Sequence, residues 1–199
     1  MAAHPKHQGV QEEACGALSN LAVNDANEVR IGEAGGMDGV VAAMVAHLKH
    51  QGVQEMACRA LCNLAVNMAN RVRIGQAGGI EGVVAAMAAH PKHQGVQEEA
   101  CGALCNLAWN NEANKVRIGE AGGIEGVVAA MAEHPKHQGV QEAACCALWS
   151  LSQQGSLRDN IHTAGGVERV KHAIAAEDAT ELTKEYGKKF LDFLPTFVA

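Results

Sequence analysis

The sequence predicts an all-α solenoid of three-helix units, about 43 residues each, and three observations predict it. The string H-[PL]-K-H-Q-G-V-Q-E recurs at His4, His47, His90 and His134, at spacings of 43, 43 and 44 residues. A fixed period in this range marks a helical unit stacked on its neighbours, none able to bury its apolar face alone. Apolar residues inside each unit fall at helical spacing. Gly-Gly pairs punctuate each unit at the same place: Gly35-Gly36, Gly78-Gly79, Gly122-Gly123 and Gly165-Gly166.

The copy from Asp25 to Asn67 shows the elements in order. Ala26 to Ala34 is a short first helix, with Val29 and Ile31 as its apolar contacts. The glycine pair ends it, because Gly accepts the left-handed conformation that stops a helix. Met37 to His47 is a second helix, with Met37, Val40, Val41 and Met44 on one face. His47-Leu48-Lys49-His50 is a turn. Pro5, Pro91 and Pro135 mark the same turn elsewhere, where Pro cannot continue the preceding helix. Gln51 to Val66 is the longest helix, with Val53, Ala57, Ala60, Leu61 and Leu64 as a continuous core stripe. The extra residue of the longest spacing sits in the run Asn110-Asn111-Glu112.

Composition narrows the function classes. The formal charge is −6 and the pI about 5.9, which argues against nucleic-acid and anionic-membrane partners, both of which want clustered Lys and Arg. No apolar run approaches the length of a membrane span. The N-terminus lacks an apolar signal segment, and a cytoplasmic location is expected. The seven Cys are an odd number and follow the repeat: Cys15, Cys58, Cys101 and Cys145 form one column, Cys62 and Cys105 part of another, and Cys146 stands alone. They are expected to be small buried apolar residues in a reducing compartment.

The third helices carry A-L-x-N-L-A at Ala17–Ala22, Ala60–Ala65 and Ala103–Ala108. With the short helix, the Gly-Gly corner and the second helix before it, this resembles the armadillo repeat over essentially the whole chain. The resemblance implies a right-handed α-solenoid. It divides the chain into a partial first unit with a third helix only (1–23), full repeats at 24–66, 67–109 and 110–153, and a divergent capping unit at 154–199. The cap differs in chemistry. Tyr186, Phe190, Phe193 and Phe197 lie in the last 14 residues. Leu182, Tyr186, Phe190 and Phe193 are expected to share its buried face.

The resemblance also implies where binding would occur. Third helices of armadillo arrays line a concave groove, in which an Asn on each grips the backbone of an extended peptide. A carboxamide offers both donors and an acceptor, so it can pair with a peptide unit's N–H and C=O. Here the ladder is Asn20, Asn63 and Asn106, and Ser150 takes the next position. Nuclear-import receptors of the family carry Trp one turn earlier. The matching residues here are Gly16, Arg59, Gly102 and Cys146, so a basic import signal is not the expected cargo. Glu13 and Glu99 give mild acidity, Arg59 interrupts it, and Trp109 and Trp149 are the anchor candidates.

Two other repeated features are weighed against this. The pairs His4/His7, His47/His50, His90/His93 and His134/His137 would chelate Zn²⁺, Ni²⁺ or Cu²⁺ only if both members shared a helical turn. Pro stands inside three of them, and no carboxylate or thiol completes a site within the motif; metal binding there is a distant alternative. The spaced glycines are not G-x-G-x-x-G, and no strand or P-loop Lys accompanies them. No catalytic motif appears. The expected function is therefore a non-enzymatic protein- or peptide-binding scaffold without a cofactor. The alternative is a self-assembling array pairing as a homodimer through its open N-terminal end, where Val10, Ala14 and Leu18 lack covering helices.

Overall fold

A computed structural model describes residues 1–194 of the chain. The described residues form helices and turns, with no strand. In chain order the helices are α1 (Gln8–Leu21), α2 (Asp25–Glu33), α3 (Gly36–Ala46), α4 (Gln51–Leu64), α5 (Met68–Gln76), α6 (Gly79–Ala89) and α7 (Gln94–Ala108). There follow α8 (Glu112–Glu120), α9 (Gly123–Glu133), α10 (Gln138–Ser152), α11 (Arg158–Thr163), α12 (Gly166–Ala175) and α13 (Glu181–Phe193), with a 3-10 turn at Gly155–Leu157 before α11. The long third helices α1, α4, α7, α10 and α13 pack side by side in that order.

The third-helix stripe Val53, Ala57, Ala60, Leu61 and Leu64 is fully buried, and so are its copies on α7 and α10. Met37, Val40, Val41 and Met44 of α3 meet it. The first helices contribute one apolar contact rather than two. Ile31 is buried, but Val29 is exposed. The corner explains why two glycines are needed. Gly35, Gly78, Gly122 and Gly165 have φ between +74° and +82°, where an L side chain is strained. A Cβ on Gly36, Gly79, Gly123 or Gly166 would run into the Ile of the preceding helix and its carbonyl oxygen. The extra residue is absorbed at Asn110, which turns left-handed with φ +48°, a conformation Asn tolerates better than most residues. Beyond it, Lys115 is buried and its ammonium lies 2.6 Å from Glu112.

The histidine motif stitches the array together. In the last three pairs the first His ends a second helix and reaches the previous copy of the turn: His47 Nε2 donates to the Pro5 carbonyl, His90 to Leu48 and His134 to Pro91, each at 2.7 Å. A carbonyl only accepts, so Nε2 carries the proton. The second His caps the third helix. Nδ1 of His7, His50, His93 and His137 accepts the N–H of Val10, Val53, Val96 and Val140. In these three pairs the two rings thus serve different backbone groups. Among the described residues no group of three or more His, Cys, Asp or Glu is placed to hold a metal. Beside them a buried Gln ties second helix to third. Gln54 donates to the carbonyls of Met44 and His47, Gln97 to Met87 and His90, and Gln141 to Met131 and His134.

Two further sequence expectations need correction. On α13 the buried stripe is Thr183, Gly187 and Phe190, while Leu182 and Phe193 are each 44% exposed. The helix is rotated because Gly187 lets α12 approach closely through Val170 and Ile174. Phe193 instead lies under the Arg158 guanidinium, 4.9 Å from its ring centre. Phe197 falls outside the described residues. Second, not every Cys is a free thiol. Cys105 and Cys146 form a disulfide, because these two positions face each other across α7 and α10.

Candidate peptide groove along the third helices

The ladder asparagines point along the array. Asn63 Nδ2 donates to the Ser19 carbonyl and hydroxyl at 3.1 Å. Asn106 Nδ2 donates to the Cys62 carbonyl at 2.9 Å and lies 3.4 Å from its sulfur. Each amide nitrogen therefore bonds to the preceding third helix. Asn20, with no third helix before it among residues 1–194, is exposed. Ser150 is fully buried, its hydroxyl 3.6 Å from Cys105 Sγ, so it is withdrawn from any groove surface.

Arg59 and Glu99 do not act as separate charges. Arg59 donates through Nε to Glu99 at 2.7 Å and through Nη2 to Glu55 at 3.1 Å. Burial raises the Glu99 carboxyl and the Arg59 pairing draws it back down. Arg59 is held charged by its hydrogen bond to Glu99. One guanidinium thus bridges two carboxylates at the centre of this surface, which stays acidic. Glu13 is exposed on α1.

Toward the C-terminal half three aromatic residues form a row, from the C-cap of α7 and from α10 and α13. Trp109 lies 5.1 Å from Trp149, and Trp149 lies 5.7 Å from Tyr186, centre to centre. Trp109 is 38% exposed and Trp149 half-buried. The Lys189 ammonium sits 5.1 Å from the Trp149 ring and 2.6 Å from Glu185. Beside this row a hollow of about 270 Å³ is lined by Cys62, Glu99, Asn106, Glu142, Cys146 and Tyr186, among others. Its walls come from α4, α7, α10 and α13. In sequence, Tyr186 is marked only as a cap residue. It shares the Trp149 ring stack because α13 packs on α10 as one more third helix.

The fold and this row of third helices define a helical-repeat solenoid. The family model for the armadillo/beta-catenin-like repeat matches residues 67–109. The chain is similar to the crystal structure of an engineered protein, with a TM-score of 0.83 and 26% identity over 94% of this chain and 76% of that one. A second engineered protein gives 0.81 and 30%, over 93% of this chain and 44% of that one. A designed armadillo repeat protein in complex with peptide (KR)4 gives 0.80 and 20%, over 95% and 77%. No curated protein matches the chain in sequence. The chain therefore carries an armadillo/beta-catenin-like repeat and has the fold of an armadillo-repeat solenoid. No helix among the described residues is long and apolar enough to cross a membrane.

Proposed function

We propose that the third helices form a groove that holds an extended peptide or a segment of a partner protein, and that the protein is a non-enzymatic scaffold without a cofactor. The observation that carries this reading is the aromatic row beside the hollow, where Trp109 at the end of α7, Trp149 of α10 and Tyr186 of α13 stack in turn. Clustered aromatics concentrate binding energy. The contact surface we assign is Glu13, Asn20, Asn63, the Arg59–Glu99 ridge, Asn106, Trp109 and Trp149. Since Asn63 and Asn106 spend their amide nitrogens on the preceding helix, their part in peptide capture is to accept a backbone N–H through Oδ1. The designed protein holding (KR)4 is like this chain in fold alone, and in this groove Arg59 interrupts the acidic lining by bridging Glu55 and Glu99.

The test is a titration of arrayed extended peptides followed by Trp emission, repeated on Trp109→Ala. Loss of an aromatic anchor costs about 2 kcal/mol, roughly 30-fold in affinity. Equal binding by both proteins would remove the aromatic row from the interface.

A second reading rests on Leu21. It is 51% exposed, whereas Leu64, Leu107 and Leu151 at the same repeat position are fully buried. A face that later repeats cover is bare on α1, and pairing of two copies through it is the structural alternative. Light scattering over a dilution series separates monomer from dimer.

A further inference from the structure

The floor of the hollow holds a covalent link that peptide capture does not use. Cys105 and Cys146 are joined across α7 and α10 with Cα atoms 5.8 Å apart, and both line the hollow. The link follows from repeat geometry. One repeat earlier, Cys62 takes the place of Cys105 and Gly102 the place of Cys146. Cys62 Sγ lies 3.2 Å from where a Cβ on Gly102 would stand. Disulfide bond lengths put a Cβ and the distal sulfur about 3 Å apart. The earlier pair is the same contact with one thiol missing.

The other five thiols differ in kind. Cys15, Cys58, Cys101 and Cys145 form a fully buried column. Burial pushes the Cys101 and Cys145 thiols up to about 12, and a protonated thiol is a poor nucleophile. Cys62 is also pushed up to about 12 by burial, with the Glu99 charge adding to it, so it does not attack its neighbours. Cys146 is half-buried and opens on the hollow, whereas Cys105 lies beneath it at 4% exposure.

We propose that Cys105 and Cys146 are a reversible thiol–disulfide switch in the groove floor, opened by small thiols and closed by a small disulfide such as oxidised glutathione. In opening, a reductant thiolate attacks the Cys146 sulfur, the S–S bond breaks, and Cys105 leaves as a thiolate that takes a proton from water. A second reductant thiolate attacks the reductant's sulfur in the mixed disulfide. Cys146 leaves as a thiolate and is protonated, and the reductant departs as its own disulfide. Two electrons have then passed to the protein. Closing runs in reverse, with oxidised glutathione taking two electrons and leaving as two glutathione molecules. Trp149, one turn from Cys146, reports the state, because a disulfide quenches a nearby indole.

Alkylation of the unfolded protein, with adducts counted by mass, should find five free thiols without prior reduction and seven after it. The folded protein in glutathione buffers of graded poise should gain two thiols together, with a change in Trp emission that reverses on reoxidation. Cys146→Ser should abolish that response. Gly102→Cys should join Cys62 and leave four free thiols, and six would overturn the geometric argument. Seven adducts without reduction, or a bond that opens only when the protein unfolds, would overturn the switch. None of these readouts involves a peptide, so they fail or succeed independently of the groove's cargo.

Discussion

Leucine at one repeat position offers an internal comparison of burial. Leu107 and Leu21 occupy the same place in A-L-x-N-L-A, but Leu107 is fully buried and Leu21 is 51% exposed. Leu→Ala removes three carbon groups. At about 0.8 kcal/mol each, the transfer cost at Leu107 is about 2.4 kcal/mol. Position 107 lies inside the array between flanking repeats that cannot collapse onto the void, so a cavity contribution brings the total to about 3–5 kcal/mol. At Leu21 half the transfer contribution is already absent and no enclosed cavity forms, leaving about 1 kcal/mol. Urea denaturation of both variants, followed by circular dichroism, measures the difference. It should be about 2–4 kcal/mol in favour of Leu21→Ala. Equal losses would refute the burial argument for the isolated chain and mean that α1 is covered in solution. Repeating the Leu21→Ala measurement at tenfold dilution then shows whether a second copy is the cover.

Three further outcomes follow from the packing. Gln97→Ala leaves the carbonyls of Met87 and His90 without the buried amide that serves both; a loss of about 2 kcal/mol in urea midpoint analysis is expected, and a loss below 0.5 kcal/mol would show that water replaces the amide. Gly123→Ala places a Cβ against Ile118 and its carbonyl and should destabilise by about 1–3 kcal/mol, although the same change on an open helix surface stabilises; a gain in melting temperature would contradict the corner geometry. Reduction of Cys105–Cys146 opens a crosslink of sequence separation 41 and should cost about 4 kcal/mol by chain entropy, read as a lower denaturation midpoint that Cys146→Ser reproduces.

Elements whose signal is local were legible in the sequence. The third-helix stripe is five residues at fixed spacing, and the Gly-Gly corner is a backbone demand that two adjacent residues meet. The buried Cys column followed from the period because all four members sit at the same depth. Contacts between repeats were harder to read, for a geometric reason. Reading by columns groups residues one period apart, but adjacent third helices touch diagonally. Cys105 meets Cys146, Arg59 meets Glu99, and Asn63 meets Ser19, so partners are offset from their own column by one or more positions. The disulfide was hidden for that reason, since Cys146 has no column of its own. The α13 face is not legible in sequence because the apolar side chains suggest one stripe while Gly187, which has no side chain to count, sets the approach of α12. Tyr186 could have been found by treating α13 as a further third helix and aligning it with Trp149.

The histidine links have an implication for how such an array can change length. His47, His90 and His134 each address a main-chain carbonyl, and the residue supplying it is Pro, Leu and Pro in turn. The joint ignores the identity of the side chain it meets. Any unit carrying this turn can therefore follow any other, and inserting or excising a whole 43-residue copy would recreate the same joint at the new boundary. Modularity here resides in the backbone, which leaves the outward-facing residues of each copy free to diverge without loosening the stack.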